Sequence, residues 1–139
     1  MILIKSFYVD ATKGLDLLNV IHEVRRVVRE ANTENGTATV VIPHPGAAVV
    51  VLDTGDPATK PEDLKKALEP YLANQLIRCL LPKSTVIPFE KGRLLIEPFQ
   101  EIFVIDYDTS GKRREFKVQV TADNPPPADK KGAGGPRLG

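Results

Sequence analysis

The chain has 139 residues, 42% of them hydrophobic and 27% charged, with 19 basic against 18 acidic side chains and a net charge of +1. That length supports one domain with a real core, and the balanced charge excludes a global field that would draw nucleic acid or an anionic membrane. The single cysteine, Cys79, excludes an intrachain disulfide and a cysteine-built zinc site; with Ile77, Leu80 and Leu81 as neighbours it reads as a small core hydrophobe.

No apolar run approaches the length that spans a bilayer. The opening Met1-Ile2-Leu3-Ile4 meets a charge at Lys5 too soon for a secretory signal, so the expected address is cytoplasmic. Residues 2–9 read as a first strand, closed by a polar turn from Asp10 to Gly14. Asp16 stands where a helix N-cap is expected, its carboxylate placed to accept from the free amides of the first turn. Behind it Leu17, Val20, Ile21, Val24, Val27 and Val28 recur at three- and four-residue steps, one face of a helix running to about Glu30. The opposite face carries Asn19, His22, Arg25, Arg26 and Arg29 and reads as solvated. It lacks the interleaved aromatics of a nucleic-acid surface.

Asn35-Gly36 closes a polar stop, and residues 37–42 form the next strand. The run from Val40 to Val51 then holds two β-branched stretches separated by Pro43-His44-Pro45-Gly46. Neither proline can donate to a sheet ladder, so the strands break at the histidine. His44 is there either a ligand-facing group or a hydrogen-bonded spacer. The second strand, 47–52, ends in a turn from Asp53 to Pro57. Thr59 and Glu62 fit a capping box, and Leu64, Ala67, Leu68 and Tyr71 mark the buried stripe of a second helix that Pro70 limits.

Residues 73–81 are too short for periodicity to separate strand from helix. Residues 85–89 and 93–96 read as strands joined by a tight reversal at Glu90-Lys91-Gly92. In the strand 100–107, Ile102, Val104 and Asp106 share one face and Phe103, Ile105 and Tyr107 the other. A turn from Asp108 to Gly111 closes a hairpin onto 113–121, where Phe116, Val118 and Val120 alternate with Glu115, Lys117 and Gln119, implying one wet face. From 122 to 139 the Pro-, Gly- and Lys-rich composition reads as a tail beyond a single domain, 1–121.

Catalytic motifs are sparse. There is no phosphate-binding GxxxxGK[ST] loop and no GxGxxG after a strand. With only His22 and His44, a three-histidine metal site is excluded, while a mixed site of His44 with Asp53, Asp56, Asp106 or Asp108 stays open. Lys112, Arg113 and Arg114 are candidates to clamp a phosphate, or simply a solvated strand start. Residue chemistry thus gives an α+β domain with a mostly antiparallel sheet.

One ordered set of residues is more specific. A strand ending in Pro43-His44, then Ala47-Ala48-Val49 and Asp56-Pro57, is followed by Gly92-Arg93-Leu94, Phe99-Gln100, Ile102, Asp106, Asp108 and the Arg113-Arg114 pair. From about Phe7 to Thr121 this series resembles the YjbQ-like family, also described as secondary thiamine-phosphate synthases. The resemblance implies a mainly antiparallel, jelly-roll-like β-sandwich with two main α-helices, assembled as a homotrimer. It also implies a polar pocket near subunit boundaries for small phosphorylated ligands. The associated activity, weak thiamine-phosphate synthesis, joins a pyrimidine pyrophosphate to a thiazole phosphate, with cationic groups or Mg²⁺ stabilising the departing phosphates.

The chain departs from the family pattern at several positions. Pro45 and Gly46 replace two threonines after the histidine, and Gln75 occupies a histidine position. Asp53 and Asp106 replace glutamates, and Phe99 replaces a tryptophan. The resemblance therefore implies His44 and Asp106 as catalytic candidates and Gln75, Asp53 and Arg113 as ligand-binding candidates. Weak, altered or absent catalysis is expected, without nucleic-acid or membrane partners. The alternative is a non-catalytic trimeric scaffold in which His44 only satisfies a buried carbonyl.

Overall fold

The structure, a computed structural model, describes residues 1–10, 14–55, 60–108 and 113–123. In chain order the elements are β1 (Ile2–Asp10), β2 (Asp16–Asn19), α1 (Ile21–Ala31), β3 (Gly36–Val41), β4 (Ala47–Asp53), α2 (Pro61–Leu72), α3 (Gln75–Leu80), β5 (Ser84–Glu90), β6 (Arg93–Leu94), β7 (Gln100–Asp106) and β8 (Arg113–Ala122). They form a five-stranded sheet, β1-β8-β3-β5-β6, and a three-stranded sheet, β2-β7-β4. Every strand pair is antiparallel, as expected of the α+β class.

Alternating strand faces fix the layers. On β8, Phe116, Val118 and Val120 are fully buried and their neighbours are not, so the larger sheet has one wet face. That inner face meets Val49, Ile102 and Val104 of the smaller sheet, together with Val20, Ile21, Val24, Val27, Val28 and Ala31 around α1. The other face of β7, Phe103 and Ile105 with Tyr107 just beyond the strand, enters a second core under Leu72, Leu64 and Leu68 of α2 and Ile77 of α3. β7 thus feeds both cores, as its two apolar faces predict. The molecule is a sandwich of two sheets with α1 in the seam and α2–α3 on the outside.

Four local expectations give way. Asp16 and Leu17 lie in β2, paired with Asp106 and Ile105, and the helix opens only at Ile21. There Asn19 replaces Asp16 at the helix start: its Oδ1 accepts from the Ile21 amide at 3.0 Å. The apolar spacing misled because Leu17 is buried by a strand that runs directly into the helix. The second helix starts at Pro61, behind an N-cap position, Lys60, that contributes no side-chain bond; Thr59 lies outside the described residues. Its last turn buries Leu72, while Tyr71 faces outward. Residues 73–81 resolve into the short helix α3, capped by Asn74, whose Oδ1 accepts from the Leu76 amide at 2.9 Å. On it Cys79 is exposed, contrary to the core reading, because the face toward the sheet carries Ile77 instead.

The strand expected over 93–96 is only Arg93–Leu94, since Pro98 and a left-handed Phe99 (φ 68°) bend the chain toward β7. Residues 124–139, most of the expected tail, lie outside the described residues, and β8 itself runs through Ala122. Among the described residues no helix is long and apolar enough to cross a membrane.

Candidate functional site

β3 lies in the larger sheet and β4 in the smaller, so the connection between them carries the chain across the sandwich. The two prolines do here what their chemistry predicts: they end one ladder before the next begins. The crossing is tied down on all sides. The His44 amide donates to the Ile42 carbonyl at 2.8 Å, and the Gly46 carbonyl accepts from the amides of Tyr107 at 2.9 Å and Asp108 at 3.1 Å. Lys83 Nζ donates to the carbonyls of Pro45 and Ala47 and, at 3.1 Å, to the Tyr107 hydroxyl, which itself donates to the Pro45 carbonyl at 3.3 Å. Glycine at 46 is a matter of space: a Cβ there would sit 2.5 Å from the Cβ of Asp108.

Behind this crossing lies a buried ionic cluster. Arg114 of β8 is 3% exposed and Asp106 of β7 is 0% exposed. The guanidinium donates through Nε to Asp106 Oδ2 at 2.8 Å, and its Nη2 pairs with Asp108 Oδ2 at 3.0 Å. Asp106 Oδ1 accepts the Asp108 amide at 3.0 Å, so both of its oxygens are engaged. A charge so deeply buried is tolerated only with such partners.

His44 stands at the edge of the cluster. Its Nδ1 accepts from the Gly46 amide at 2.9 Å, which places the proton of the neutral ring on Nε2. Nε2 lies 3.9 Å from Asp108 Oδ2, beyond hydrogen-bond length. The imidazole as it stands is therefore a donor, with its lone pair already used. Burial, then the Arg114 guanidinium, hold its pKa below the usual 6.5, with Lys83 adding to this; the carboxylates of Asp106 and Asp108 oppose the shift. A depressed folded-state value means that the unfolded chain takes up the proton first. Stability is accordingly expected to fall as pH drops from 6.5 to and through the folded-state pKa. In urea titrations between pH 7.5 and 5, His44→Gln should remove part of that slope; identical slopes would contradict it.

A groove of about 670 Å³ opens beside the cluster, lined by Gly46, Gln75, Arg78, Lys83, Tyr107 and Asp108. α3 supplies Gln75 and Arg78. The Arg78 guanidinium stands 5.3 Å from the centre of the Tyr107 ring, and its Nε donates to the Leu72 carbonyl, leaving the terminal nitrogens as donors for an anion. Lys83 Nζ stands 5.5 Å from the same ring.

Of the residues expected from sequence, His44 and Asp106 meet around Arg114, and Gln75 lines the adjoining groove. Asp53 does not join them. It pairs with Gln100 at the far end of β4, six residues from Ala47, about 20 Å away at ordinary strand rise. Arg113 points to the opposite face of β8, 3.8 Å from Asp10 and 4.7 Å above the Tyr8 ring. Arg114 takes the inward position, a place legible in the alternation with Phe116, Val118 and Val120. No local pattern marks Arg78 or Lys83, and the sequence marks Tyr107 only as part of an apolar strand face. Asp56 and Lys112 lie outside the described residues.

As a metal set the cluster does not fit. The Arg114 guanidinium occupies the space between the two carboxylates, and the Nδ1 lone pair of His44 is taken by an amide. Among the described residues no group of three or more His, Cys, Asp or Glu side chains is arranged to hold a metal ion.

Comparison with known proteins adds one consistent finding. Residues 5–123 match the family described as UPF0047 protein YjbQ-like. The UPF0047 protein MJ1081 of Methanocaldococcus jannaschii is 22% identical, over 88% of this chain and 99% of its own. A YbjQ-like protein of unknown function from Sulfolobus solfataricus superposes with a TM-score of 0.76 at 18% identity, covering 88% of this chain and 99% of that one. A hypothetical protein from Aeropyrum pernix gives a TM-score of 0.75 at 23% identity, covering 87% and 99%. At such identities the two structures speak for the fold alone.

Proposed function

The chain belongs to the UPF0047 YjbQ-like family, and from that premise we propose that the groove beside the strand break binds a small phosphorylated ligand. One observation carries this reading. Arg78, Lys83 and the Gln75 amide line one groove above a buried arginine, so that with His44 neutral three cations stand against two carboxylates. Positive excess with guanidinium geometry suits a phosphate ester. His44 adjoins Pro45 and Gly46 of the groove wall, and its Nε2–H faces Asp108, which also lines the groove.

The reaction that the resemblance implies, thiamine-phosphate synthesis, is weak or lost in this chain. His44 spends its lone pair on Gly46, so it serves as donor and not as general base. Gln75 cannot titrate near neutral pH, and Pro45-Gly46 bring no hydroxyls. What the chain retains is binding and orientation, in a cytoplasmic protein. Calorimetric titration with thiamine monophosphate and with pyrophosphate, each with and without Mg²⁺, tests this. Binding is expected, and a folded His44→Ala variant should lose about tenfold in affinity. Absence of heat from both ligands would sink the reading.

A homotrimeric scaffold is a second reading. Leu76 and Leu80 on α3 are 76% and 81% exposed, with Tyr71 nearby, an apolar strip that burial against another copy would cover. Light scattering of the same preparation should give three times the 15.2 kDa chain mass; a monomer would exclude it.

A further inference from the structure

The polar face of α1, a solvated surface by its sequence, borders a second groove of about 490 Å³ against the connection from β6 to β7. Arg25 and Arg29, one helical turn apart on the same face, line it with Arg93, Glu97, Phe99 and Glu101. Among the described residues none of the three arginines makes an ion pair. Glu101 is engaged elsewhere, accepting from Asn19 Nδ2. Three guanidiniums stand against the two carboxylates of Glu97 and Glu101, a positive excess of one, and present paired donors to an anion that can reach more than one of them.

Phe99 supplies a second, independent observation. Its backbone is left-handed, φ 68°, which is unusual for a bulky residue. Thr54 holds it there: the amide and the hydroxyl of Thr54 both donate to the Phe99 carbonyl, at 2.7 Å each. The result is a large apolar side chain left 49% exposed at an arginine-lined groove when burial was the favourable alternative. Strained backbone held by its surroundings clusters at ligand clamps.

We propose that this groove is a second ligand site, for a small phosphorylated molecule that carries a flat ring. Arg25, Arg29 and Arg93 hold its phosphates and Phe99 stacks on its ring. The site is separate from the strand break, since the two lie at opposite ends of β7, about 20 Å apart at ordinary strand rise.

Adenosine diphosphate, pyrophosphate and adenosine serve as probes, titrated into the full chain carrying Arg78→Ala so that the first groove does not contribute. Adenosine diphosphate and pyrophosphate are expected to bind. Adding Arg25→Ala and Arg29→Ala should weaken both by about tenfold or more, each guanidinium being a charge-assisted donor. Adding Phe99→Leu should weaken adenosine diphosphate by roughly tenfold and leave pyrophosphate unchanged, because only the ring stacks. Both arginines are exposed, so an unchanged urea midpoint is the check on folding. The proposal is overturned if neither anion binds the Arg78→Ala chain, if the arginine variants bind as before, or if Phe99→Leu weakens both probes equally.

Discussion

Replacing Arg114 by alanine is expected to lower the unfolding free energy by about 3–5 kcal/mol, the usual cost of breaking a buried ion pair from one side. The guanidinium is nearly inaccessible, and its removal strands the Asp106 carboxylate, also inaccessible, between two sheets. It also takes one partner from Asp108 at the rim. Asp106→Ala should cost a similar amount, and the double variant clearly less than the sum, since the second change removes the charge stranded by the first. Arg114→Lys keeps the charge but not the fork and should fall between, which keeps the prediction readable if the alanine variant does not fold. Urea unfolding at pH 7.5 measures all four chains. A loss below about 1 kcal/mol in Arg114→Ala would mean that the pair behaves as a solvated one.

Gly46→Ala is expected to cost about 1–3 kcal/mol and to damage the groove at the same time. The backbone at 46 needs no positive φ, so the cost is one of space. The added methyl would stand 2.5 Å from the Cβ of Asp108 and 3.2 Å from its carboxyl carbon, and one of the two must move. Movement of Asp108 pulls it from Arg114; movement of residue 46 breaks the bonds that its carbonyl accepts from Tyr107 and Asp108. Either way the wall of the groove shifts. Affinity for thiamine monophosphate should fall together with the urea midpoint. An alanine variant with both unchanged would show that the crossing is looser than its hydrogen bonds indicate.

These two residues also show how far the sequence could be read. The strand break was legible because two prolines leave the chain no alternative, and β7 was legible because each of its faces is apolar. Asp106 and His44 were named from the same stretches. Lys112, Arg113 and Arg114 are all phosphate candidates by sequence and the resemblance implies Arg113, whereas the alternation of β8 places Arg114 inward. Asp53 stands apart from the groove for a different reason. Its position after a strand suggests a site, but only the register with β7 reveals that it lies at the wrong end of the sheet. Arg78 and Lys83 carried no signal at all. They reach the groove because α3 and the start of β5 fold over Tyr107, a tertiary arrangement that no local pattern announces.

The central claim is that the groove beside the strand break is the place where a phosphorylated ligand sits. Backbone amide chemical shifts followed during titration with thiamine monophosphate test it most directly. Saturable shifts are expected at Gly46, Gln75, Arg78 and Asp108, and these are lost in Arg78→Ala, while any shifts around Arg25, Arg29 and Phe99 persist in that variant. Shifts confined to other parts of the chain, or a spectrum unmoved at saturating ligand, would contradict it.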